Sequence, residues 1–166
     1  NATASECVAV GSRALKSQTS AARCTAVGSE AATAVTTADD TTAIGRSALA
    51  ACVTGARNTA LGSKSLMNYT GSDNTAVGSQ ALDNNTTGVN NTAVGSEALK
   101  SNTTASANTA VGMDALYTNT TGSANVAVGK DALKLSNSSN NTALGQSALN
   151  ALTTGANNTA VGRNTM

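Results

Sequence analysis

Histidine, tryptophan and phenylalanine are absent from this chain of 166 residues, and two tyrosines are its entire aromatic content. Without histidine there is no Ser-His-Asp or Cys-His catalysis, no imidazole metal ligand and no imidazole pH switch. Without large rings, apolar burial falls to Ala, Val and Leu, so any core is thin. Charge is scarce as well: Asp, Glu, Lys and Arg make up 11% of residues and the formal net charge is +1, whereas ordinary soluble domains carry roughly 25% charged residues. The clustered Lys and Arg that track phosphates are missing, as are aromatics to stack on bases, which argues against nucleic acid as a partner. No apolar run nears the ~18 residues of a membrane-spanning helix, so no membrane insertion is expected.

What the chain does have is a repeat. The motif Ala-[Val/Ile/Leu]-Gly ends at Gly11, Gly28, Gly45, Gly62, Gly78, Gly95, Gly112, Gly129, Gly145 and Gly162, at spacings of 17, 17, 17, 16, 17, 17, 17, 16 and 17. Each of the five other glycines, Gly55, Gly71, Gly88, Gly122 and Gly155, lies seven residues before a motif glycine. Residues 1–166 therefore read as a single repeat array of ten units. Two residues before the motif glycine every repeat carries Ala, and four residues after it Leu dominates, from Leu15 to Leu149. Four residues before it stands an asparagine column, Asn58, Asn74, Asn91, Asn108, Asn125, Asn141 and Asn158, preceded in the first three repeats by Cys7, Cys24 and Thr41.

A period of 16–17 is half of what a helix pair needs. Thr-Ala-Val-Gly alternates as a strand does, with Thr and Val on one face and Ala and Gly on the other. Segments such as Asn84-Asn85-Thr86-Thr87-Gly88 supply the residues of bends and left-handed turns. The helix-compatible stretch Ser96–Lys100 is under two turns long, too short to stand on propensity. The expected fold is all-β: a parallel β-solenoid, or β-roll, of ten coils stacked about 4.8 Å apart. Each coil buries one Val-sized and one Leu side chain at ~2 kcal/mol apiece, against on the order of 1–2 kcal/mol per residue for ordering the backbone. That balance favours a partner chain. The Ala column is either a smooth face for such a partner or the lining of a narrow interior.

Asn91-Thr92-Ala93-Val94-Gly95-Ser96-Glu97-Ala98-Leu99 resembles the Ser-Val-Ala-Ile-Gly coils of YadA-like trimeric autotransporter heads, and is similar to tandem repeats of bacteriophage tail fibres. Cys7-Val8-Ala9-Val10-Gly11 and Asn125-Val126-Ala127-Val128-Gly129 come closest to the autotransporter form. The resemblance spans all ten repeats. It implies a left-handed β-roll, three chains side by side, and a role as surface adhesin or fibre. Two departures stand out: the period is longer than in those heads, and Thr commonly takes the place of an inward Val.

Candidate sites are few. The asparagine column is expected to form a side-chain ladder between coils, with a sugar-binding strip as the rival reading. Asp39-Asp40 lacks a nucleophile or pocket beside it and reads as a solvated loop. Cys7 and Cys24 share a column on successive coils, within reach of a disulfide, although free thiols filling space are equally compatible. The sequons at Asn68, Asn84, Asn102, Asn119 and Asn137 are candidate glycosylation sites on loops, and Asn102 and Asn119 share a column. Thr42, Thr59, Thr75, Thr92 and Thr109 form a single column rather than the Thr-x-Thr face that orders water. No catalytic or metal site and no cofactor is expected. The chain reads as a structural or adhesive fibre module: a trimeric β-solenoid shaft or head of a viral tail fibre or bacterial surface adhesin. It would be extracellular, on a cell or virion surface, meeting cell-surface glycans. The alternative is a glycosylated filament grown by end-to-end stacking of coils. Because the pattern runs on through Gly162–Met166 without a polar cap, an excerpt of a longer fibre is expected.

Overall fold

A computed structural model describes residues 6–166. Each repeat contributes one three-residue strand: β1 (Val8–Val10), β2 (Thr25–Val27), β3 (Thr42–Ile44), β4 (Thr59–Leu61), β5 (Thr75–Val77), β6 (Thr92–Val94), β7 (Thr109–Val111), β8 (Val126–Val128), β9 (Thr142–Leu144) and β10 (Thr159–Val161). The ten strands form one parallel sheet in sequence order. Register is kept throughout, so that Thr75, Ala76 and Val77 oppose Thr92, Ala93 and Val94. No helix occurs among the described residues. The architecture is a β-solenoid of about nine turns.

Within each strand the side chains alternate. Ala26, Ala43, Ala60, Ala76, Ala93, Ala110, Ala127 and Ala143 are fully buried, while the Thr and Val on either side of each face outward. Of the two readings open for the Ala column, the interior wall is the one the structure has. The expectation that each coil buries its Val is corrected, since Thr and Val both face outward. The reason is volume: across the coil stand the fully buried Leu49, Leu66, Leu82, Leu99, Leu116 and Leu133, and little more than a methyl group fits opposite them.

The stretch after the motif glycine folds as successive bends. Glu97 and Leu99 take left-handed backbone angles, φ 60° and 52°. Ala98 N–H donates to Gly95 O (3.3 Å), Lys100 N–H to Glu97 O (3.3 Å) and Asn102 N–H to Leu99 O (3.1 Å). The intervening N–H groups bond other coils: Glu97 to Ser79 O (2.9 Å), Leu99 to Ala115 O (3.0 Å) and Ser101 to Tyr117 O (3.1 Å). A helix would have closed all of these bonds locally. The left-handed Leu costs roughly 1–2 kcal/mol, which burial of its side chain, about 1.5–3 kcal/mol, offsets.

The motif glycine is demanded twice over. Gly95 has φ 138°, and a Cβ there would lie 2.5 Å from Gly112 O of the next coil. The two 16-residue coils lose their residue at the following corner, where Tyr69-Thr70-Gly71 in one and Ser136-Asn137-Ser138 in the other stand in for Asn-Thr-Thr-Gly. Tyr69 is fully buried there and its hydroxyl donates to Ser72 O at 2.9 Å. A Cβ on Gly71 would come within 2.4 Å of that hydroxyl oxygen.

Candidate functional site

The asparagine column sits just before each strand, at the corner where the chain enters the sheet. Asn58, Asn74, Asn91, Asn108, Asn125 and Asn141 are buried. Each Oδ1 accepts the peptide N–H of the asparagine one coil on, from Asn74 N–H on Asn58 (3.0 Å) to Asn158 N–H on Asn141 (2.9 Å). Each Nδ2 donates to a carbonyl of the coil ahead, those of Gly71, Gly88, Ala105, Gly122, Ser138 and Gly155, at 2.8–3.1 Å. Amide-to-amide bonds add to this at three steps, Asn108 to Asn91, Asn125 to Asn108 and Asn158 to Asn141. The ladder is thus chiefly side chain to backbone. Burial removes the sugar-strip reading, because these amides have no surface to offer.

Cys7 and Cys24 occupy the same column. Cys7 makes the same two bonds with sulfur, donating to Ala21 O at 3.5 Å and accepting Cys24 N–H at 3.3 Å, and Cys24 Sγ donates to Ala38 O at 3.1 Å. Both residues are thiols and no disulfide joins them. Burial pushes the Cys24 and Cys52 thiols up to about 11, which leaves them inert as nucleophiles at neutral pH.

A second ladder stands beside the first, seven residues after the motif glycine, and donates to the same carbonyls. Asn85, Asn102 and Asn119 are fully buried. Their Nδ2 groups close the corner onto Gly88 O, Ala105 O and Gly122 O at 2.8–3.0 Å. Asn102 Nδ2 also donates to Asn85 Oδ1 at 3.1 Å, and Asn119 Nδ2 to Asn102 Oδ1 at 3.4 Å. This corrects the glycan reading at Asn102 and Asn119: an amide packed inside the coil cannot carry a sugar while the chain is folded. Asn68, Asn84 and Asn137 are exposed. Asn137 has a structural task of its own, since its Oδ1 accepts the N–H groups of Thr120 and Thr121, both at 2.9 Å. In a 17-residue coil a backbone carbonyl does this, as Thr103 O does for Thr86 and Thr87. The side chain replaces it where the corner is one residue short.

Charged side chains also stack by column. Glu6, Arg23, Asp40, Arg57 and Asp73 alternate in sign over five successive coils. Arg23 grips Asp40 in a fork (2.5 and 3.0 Å), and Arg57 grips Asp73 likewise (2.6 and 2.9 Å). The guanidinium groups hold both carboxyls below their ordinary range. Asp39 Oδ1 accepts Ala22 N–H at 2.7 Å, so the acidic pair is bound into the coil stack rather than merely solvated. Further along, Tyr117 lies between Lys100 and Lys134, whose ammonium groups are 5.7 and 5.9 Å from its ring centre.

The strand face is different in kind. Its two outward columns contain only Thr and aliphatic residues, with no charged side chain. Val10, Ile44, Leu61, Val94, Val128, Leu144 and Val161 are exposed. The hydroxyls of Thr25, Thr42, Thr59, Thr75, Thr92, Thr109, Thr142 and Thr159 bond to no protein group. Corner threonines behave otherwise: Thr36, Thr70, Thr86 and Thr103 each donate to a carbonyl of the next coil at 2.8–3.1 Å.

Among the described residues no three His, Cys, Asp or Glu side chains cluster as metal ligands. A cavity of about 280 Å³ between Leu149, Leu152, Asn158 and Met166 contains no titratable side chain. Among the described residues no helix is long and apolar enough to cross a membrane. No protein-family model, curated protein or solved structure matches the chain.

Proposed function

We propose that this chain is a non-enzymatic fibre module, a β-solenoid shaft or head that three copies build by lying side by side with their strand faces outward. It works outside the cell, on the surface of a bacterium or virion. The observation that carries this reading is the unbroken register of ten parallel strands, doubled by two adjacent ladders of buried asparagine. Every coil is bonded to the next at several points around its circumference, which gives a stiff rod. Nine steps of about 4.8 Å make it roughly 43 Å long. Exposed corners, repeated at every coil, present many weak contacts to cell-surface glycans, and avidity multiplies them.

Native mass by light scattering on a size column tests the assembly. A mass of three chains is expected. A monomer overturns the trimer, and polydisperse species that grow with time replace it with a filament stacked end to end.

A further inference from the structure

The strand face carries an inference beyond the fibre reading and independent of it. We propose that the face formed by the outward Thr and aliphatic columns of β1–β10 binds ice, holding an ordered layer of water that matches a growing crystal surface.

Eight of the ten coils place a threonine hydroxyl in one line, Val8 and Val126 taking its place in β1 and β8, and none is engaged by the protein among the described residues. Their partners must come from outside. In the neighbouring column Val, Ile and Leu repeat with the same spacing, because the two columns share one strand register. Apolar groups order the water next to them without binding it, and a neighbouring hydroxyl anchors that water by a hydrogen bond. The spacing is regular because backbone hydrogen bonds set it at about 4.8 Å. It is stiff because Thr, Val and Ile are β-branched and hold narrow χ1 ranges, over an inner wall of fully buried Ala. The single Thr column, insufficient as a Thr-x-Thr pattern, is completed by the aliphatic column beside it.

Other occupants fit less well. Polysaccharide chains are gripped by aromatic platforms, and this face has no ring. A charged polymer has no counter-charge to meet. A second copy would bury a strip about 43 Å long and about 10 Å wide, on the order of 430 Å², roughly half of the ~800 Å² per partner of a stable interface. It would also strip water from eight hydroxyls, each costly to bury without a partner.

The test uses the full chain. Thermal hysteresis and partition of the protein into a slowly grown ice hemisphere are measured for the wild type, for Thr92→Lys combined with Thr109→Lys, and for Asn84→Lys at an exposed corner. The wild type and the corner variant are expected to show hysteresis and to enter ice. The face variant is expected to lose at least tenfold in partition while its circular dichroism and melting stay unchanged. Wild-type protein that behaves like serum albumin in both assays overturns the proposal, as does full ice partition by a folded face variant. So does an oligomer in which a cysteine placed at Thr92 is protected from labelling, because the face would then be occupied by another copy. None of these outcomes depends on whether the rod is trimeric.

Discussion

Removing one rung of the asparagine ladder should destabilise the coil stack far more than removing a surface asparagine. In Asn91→Ala, the buried N–H of Asn108 loses its acceptor at 3.0 Å, and Ala105 O loses the donor at 2.9 Å. Ala105 O keeps a second donor, Asn102 Nδ2 at 3.0 Å, so the peptide N–H carries most of the cost. An orphaned buried donor costs about 1–3 kcal/mol, and with the space left behind the sum is about 2–4 kcal/mol. Asn91→Cys should lose only about 1 kcal/mol, because Cys7 already makes both bonds through sulfur. Asn91→Asp should be the worst of the three, since it sets a carboxylate oxygen against Ala105 O. Urea unfolding followed by circular dichroism provides the comparison, with Asn84→Ala as the exposed control, expected within about 0.5 kcal/mol of wild type. Equal losses for Asn91→Ala and Asn84→Ala would refute the ladder as a source of stability.

Two further outcomes follow from the charge ladder and the short corner. The folded-state pKa values of Asp40 and Asp73 lie below their unfolded values because of Arg23 and Arg57. Their stabilisation is therefore complete above about pH 4 and is lost as pH falls through the lower, folded values. The urea midpoint should drop on acidification below pH 4, and the drop should shrink in Arg23→Gln combined with Arg57→Gln; an unchanged drop in that variant would contradict the pairing. Gly71→Ala should cost about 1–3 kcal/mol by forcing its methyl onto Tyr69, and Tyr69→Asn in the same chain should recover most of that loss; additive losses in the double-mutant cycle would show that the two do not interact.

The coil and its register were legible because the period is written in glycine and alanine, residues chosen where backbones crowd. The direction each column faces was harder to read. Thr-Ala-Val alternates between small residues, and hydropathy alone does not say whether Ala or Val goes inside. Coil width decides it: with Leu99 and its equivalents filling the cavity, the strand wall has room only for Ala93 and its column. The corner asparagines were misread for a related reason. A sequon is a local pattern of three residues, whereas burial of Asn102 and Asn119 is set by their place on the coil. Counting seven residues from each motif glycine would have aligned them with Asn85 and marked a column. The strand threonines were legible as a column, each standing before Ala-[Val/Ile/Leu]-Gly, but that their hydroxyls are unengaged was not, because it depends on which carbonyls the coil brings within reach.

Cysteine accessibility across β6 tests the central claim, that Ala lines the rod and that Thr and Val form its working face. Thr92→Cys, Ala93→Cys and Val94→Cys are to be compared in a chain whose native cysteines are replaced by Ser at Cys7 and Cys52 and by Asn at Cys24. Fast labelling by a water-soluble maleimide is expected at 92 and 94, and labelling at 93 only on unfolding. Fast labelling at 93 with protection at 92 and 94 would turn the coil inside out and contradict that claim.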